Sequence, residues 1–184
     1  TASLAKASQD SNAHTRMTAN RLLLEAGAND KVETGSQVER AYREIGDLRD
    51  VKNRQELISR FSKAQDNWTK SSLVSAASGS ALEVIKDCSS ATHTEGLNLL
   101  VEQLVPIALR SSDKNSISVL LKNAASAPES SASLKAALLQ SIIATNPAKP
   151  EMSKDVVDAL RTLLTDSATD SFVLPLIAAW DQEG

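Results

Sequence analysis

The strongest constraint on this chain is a helical spacing that recurs along it. Asn12, Arg16, Ala19 and Leu23 make the first copy, and Asp66, Lys70, Leu73 and Ala77 the second. Asp113, Ile117, Leu120 and Ala124 make the third. Each copy opens with a side chain that accepts a hydrogen bond from the orphan backbone N–H groups of a helix start. Positions four, seven and eleven residues later then fall on one helical face. The copies lie roughly 45–55 residues apart, a recurrence expected of stacked helical units rather than one closed core. A second echo is independent of the first. Leu104-Val105-Pro106-Ile107-Ala108-Leu109 returns as Val173-Leu174-Pro175-Leu176-Ile177-Ala178, a separation that fits two repeats of about 35 residues.

Composition supports the same architecture. The chain has 184 residues, 41% of them apolar but only 3% aromatic. Its core must therefore be built from Leu, Ala, Val and Ile, and Ala lets helix axes approach closely. Gly and Pro are sparse and fall between apolar runs, against a β-rich fold. The expected fold class is all-α: a right-handed α-α superhelix of about four to five helix pairs, read as a single domain over 1–184. Thr1 stands where a Met would start a chain, and no signal-peptide pattern follows, so a piece of a larger protein is expected.

The pattern predicts helices over about 12–26, ended by Gly27, and over 36–50, weakened by Gly46. Further helices are expected at 54–64 with Leu57, Ile58 and Phe61 inward, and from the Asp66 cap to Gly79. A short helix carries Leu82, Val84, Ile85 and Cys88, and a long one covers 95–110 with Pro106 inside. The last stretches are 113–127, 131–145, 153–165 and 170–181, with Asn-Pro-Ala-Lys-Pro at 146–150 as a breaker. Trp180-Asp181 reads as the place where a further repeat begins.

The formal net charge is −3, without the basic excess of a nucleic-acid-binding domain. The cluster Arg40, Arg43, Arg49, Lys52, Arg54 and Arg60 is interleaved with Glu39, Glu44, Asp47, Asp50 and Glu56. Mixed signs at helical spacing read as a solvated face with i,i+4 pairs. No apolar run reaches the roughly 18–20 residues needed to span a bilayer.

The residues that carry chemistry are few. Cys88 is the only cysteine, and His14 and His93 are the only histidines. Cys88 and His93 could form a metal or nucleophile–base pair only with further ligands, and none accompanies them. Cys88 reads as a small core residue and His93 as a loop residue. Glu95 with Glu102, or Glu39 with Asp47, would need convergence and desolvation to act as acid and base. No phosphate loop or nucleophile elbow is present. No catalytic residue, cofactor or metal is expected. Arg16 and Trp68 stand out instead, as residues that fix the stacking of repeats or contact a partner.

Residues 12–27, Asn-Ala-His-Thr-Arg-Met-Thr-Ala-Asn-Arg-Leu-Leu-Leu-Glu-Ala-Gly, resemble the second helix of a HEAT-type repeat, in which a polar cap precedes Arg-x-x-Ala and then Leu. Residues 66–77, Asp-Asn-Trp-Thr-Lys-Ser-Ser-Leu-Val-Ser-Ala-Ala, look like the same helix. They are also similar to HEAT-like segments of large bacterial secreted proteins that join a sugar-dehydrogenase-like β-propeller to a c-type cytochrome. This chain has no CxxCH and no propeller-like strand run, so the resemblance implies a spacer or docking segment between redox modules. The implied function is a non-catalytic scaffold or protein-interaction module, periplasmic or secreted, whose partner is a protein or a neighbouring domain. A cytoplasmic location is the alternative compartment. Alternative functions are a HEAT-fold enzyme, glycosylase-like or lyase-like, and a helical carrier of lipid or another small ligand.

Overall fold

The computed structural model describes residues 2–26, 45, 48–91, 96–110 and 115–181. Among the described residues the regular elements are α-helices and short 3-10 turns, with no strand. The all-α class expected from the sequence is observed. Where one domain over 1–184 is expected, the chain divides into two compact units, Thr1–Asp47 and Leu48–Gly184.

The first unit contains α1 (Ala2–Ala7) and α2 (Ala13–Glu25), which pack on each other. Asn12 Oδ1 accepts from the Thr15 N–H at 3.3 Å, so α2 begins where the cap pattern places it. Ala19 and Leu23 are both buried. α1 has no counterpart in the sequence reading, because six residues are too short to display a 3.6-residue period. The expected stop at Gly27 and helix over 36–50 lie outside the described residues.

The second unit runs α3 (Arg54–Lys63), α4 (Asn67–Ala77), α5 (Ala81–Ser89), α6 (Asn98–Arg110), α7 (Ser116–Ser126), α8 (Ala132–Thr145), α9 (Lys154–Thr165) and α10 (Asp170–Asp181). Local chemistry sets many of these limits. Asp66 accepts from the Thr69 N–H at 2.8 Å to start α4, and Ser153 from the Val156 N–H at 3.4 Å to start α9. Asn146, at φ 45°, ends α8 in the left-handed conformation that Asn tolerates, with Pro147 directly after it. Gly96, at φ 76°, makes the left-handed turn before α6. Gly79 does not end α4 as expected. It lies within the 3-10 turn Ser78–Ser80 that leads straight into α5, without a positive φ. The third copy's cap, Asp113, lies outside the described residues.

The helices of this unit pack in a regular order. Consecutive pairs are α3 with α4, α5 with α6, α7 with α8 and α9 with α10. Alternate helices also pack, forming one row α3, α5, α7, α9 and a second row α4, α6, α8, α10. The α6–α8 contact is the most extensive of all. Between the rows lies a core of buried aliphatic side chains, among them Leu57, Leu73, Leu104, Leu120, Leu138 and Leu163. Each such leucine contributes roughly 1.5–3 kcal/mol on burial.

The +7 and +11 positions of the recurring spacing point into this core: Leu73, Ala77, Leu120 and Ala124 are buried. Yet α4 is the second helix of its pair and α7 the first of its own. The spacing therefore marks inward helix faces rather than equivalent places in a repeat. The proline echo does mark equivalent places, since Pro106 in α6 and Pro175 in α10 lie two steps apart in one row. The missing N–H of each leaves the carbonyl of an exposed residue, Glu102 or Ser171, which water can serve. Val105 is fully buried and its counterpart Leu174 is 59% exposed. α6 is flanked by α4 and α8, whereas α10 has only α8 beside it in the row among the described residues.

Candidate functional site

Several polar side chains join one helix pair to the next. Arg54 on α3 donates through Nε to Asp87 Oδ2 on α5 at 2.8 Å. Ser131, fully buried before α8, donates to the Ser89 carbonyl at the end of α5 at 3.3 Å. Lys122 on α7 faces Asp155 on α9 at 3.8 Å, a contact with both groups well exposed. The Trp180 indole donates to the Pro147 carbonyl at 3.0 Å. Trp180 is thus a buried residue near the end of α10, anchored on the connection between α8 and α9.

The most buried of the ion pairs among these ties is Lys135–Asp166. The Lys135 side chain, 6% exposed on α8, donates to Asp166 Oδ2 at 2.9 Å. Asp166 Oδ1 also accepts from the Ala168 N–H at 3.0 Å. These hydrogen bonds, first that from Lys135, hold the carboxyl below the usual carboxylate range. Thr169, fully buried, completes the corner by donating to the Leu163 carbonyl at 2.6 Å. A lysine at a buried helix position carries no period signal pointing to its partner 31 residues away, so the sequence does not reveal this pair.

The residues singled out by sequence fall as follows. Arg16 donates to the carbonyls of Asp10 and Ser11, at 2.8 and 2.9 Å, clasping the turn between α1 and α2. Trp68 lies in the first turn of α4; its side chain, like that of His14, is outside the described residues, as are His93, Glu95, Glu39 and Asp47. Glu102 is exposed on α6. In the basic cluster, Arg60 pairs with Glu56 one turn back at 2.8 Å, the i,i+4 arrangement expected. Arg54 instead reaches across to α5. Cys88 is fully buried on α5, and burial, aided by the charge of Asp87, pushes its thiol up to about 12. Among the described residues no group of three or more His, Cys, Asp or Glu is gathered to hold a metal.

The two helix rows differ sharply at their surfaces. The α4, α6, α8, α10 row carries only Lys70, Glu102, Arg110, Lys135, Asp170 and Asp181 as charged residues, and Lys135 is interior. Each helix of this row shows one exposed stripe: Ser71 and Ser75 on α4, Leu99 and Gln103 on α6, Ser133 and Gln140 on α8, Leu174 and Ala178 on α10. The other row is charged on every helix, with Glu56 and Lys63 on α3, Glu83 and Lys86 on α5, and Lys122 on α7. Asp155, Asp158 and Arg161 continue it on α9. The charge-poor row is the surface most suited to contact, because interface centres are depleted of charge.

Comparison of the chain with protein-family models, with curated proteins and with solved structures finds no match.

Two measurements check this description. Asp166 has a lowered folded-state pKa, so its contribution to stability is complete above pH 3.8 and fades as pH falls through the lower folded value. Denaturation followed against pH should show that acid limb in the native chain and a flatter one in both Asp166→Asn and Lys135→Met. At neutral pH, Asp166→Asn should destabilise more than Lys135→Met, since it leaves an ammonium buried without its anion. Separately, Cys88 should react with a thiol alkylating agent at pH 8 only in denaturant. Rapid labelling of the native chain would contradict its burial.

Proposed function

We propose that residues 48–184 form a HEAT-like, right-handed α-α superhelix that serves as a non-catalytic scaffold or protein-interaction module. The observation that carries this reading is the packing order, in which each helix meets its pair-mate and the next member of its row. Such order makes a molecule in which each repeat depends on its neighbours and presents long faces to partners. The titratable side chains support the same reading, because Arg54, Asp87, Lys135 and Asp166 bind helix pairs together and Cys88 is held protonated. The partner is a protein or a neighbouring domain of the same chain. A role as spacer or docking segment between redox modules of a secreted or periplasmic bacterial protein rests on the resemblance of residues 66–77 alone.

Native-state hydrogen exchange tests the array. Leu138→Ala removes a buried side chain from α8, at a cost of about 2–5 kcal/mol. Protection should fall in α8 and in the helices it touches, α6, α7 and α10, while α3 and α4 keep theirs. An equal loss in all helices of the unit would mean one closed cooperative core and contradict the reading.

A further inference from the structure

We draw no further inference here: the strongest candidate, the exposed stripe of Leu174 and Ala178 on α10, where Val105 at the same register of α6 is buried, carries nothing because nothing in the structure shows what covers it.

Discussion

A helix pair of this composition cannot bury its own apolar surface, and the rest of the second unit follows from that. α8 illustrates the constraint: Leu134, Ala137, Leu138, Leu139 and Ile142 are all buried, covering more of its circumference than one neighbour could hide. It is covered by its pair-mate α7 and by α6 and α10 on its flanks. Removing any one neighbour would return aliphatic surface to water at roughly 25 cal/mol per Å². Hydrophobic stabilisation is therefore distributed from pair to pair. With so few aromatic residues, close approach through Ala108, Ala124 and Ala137 replaces bulk in filling the space.

The polar interior serves the same end. Each buried or half-buried tie, Arg54 to Asp87, Ser131 to Ser89 and Lys135 to Asp166, spans successive helix pairs. A non-directional aliphatic core would tolerate some sliding of one pair over the next, whereas a lysine held at 6% exposure against one carboxylate does not. More of the charge at the surface lies on the α3, α5, α7, α9 row than on the other. The contrast gives the second unit two rows of unequal charge, built from the same type of helix.

Much of this was legible in the residues. Periodicity located α3, α8, α9 and α10 to within a residue or two, and Asp66, Asn146–Pro147 and Ser153 act locally at the start of α4, the end of α8 and the start of α9. The inward positions Leu57, Ile58, Phe61, Leu73 and Leu120 followed from the 3.6-residue period. What periodicity could not give was partnership. The recurring spacing looked like one helix repeated, yet it falls on α4 and α7, which take different places in their pairs. Arg54 looked like one more member of a solvated cluster, although it reaches Asp87, 33 residues on. The unequal charge of alternate helices was present in the sequence all along. It becomes visible only once the helices are assigned to two rows, which is a fact of packing rather than of local propensity.

The central claim is that successive helix pairs of the second unit advance along an array instead of closing on themselves. Electron-electron distance measurements between spin labels test it most directly, with one label at Gln55 on α3 and the other at Glu83, Lys122 or Asp158, all exposed and all on one row. Helix axes in contact are spaced about 8–10 Å apart, so an array predicts three distances that lengthen at each step. A Gln55–Asp158 distance no longer than the Gln55–Glu83 distance would mean a closed bundle and contradict the account.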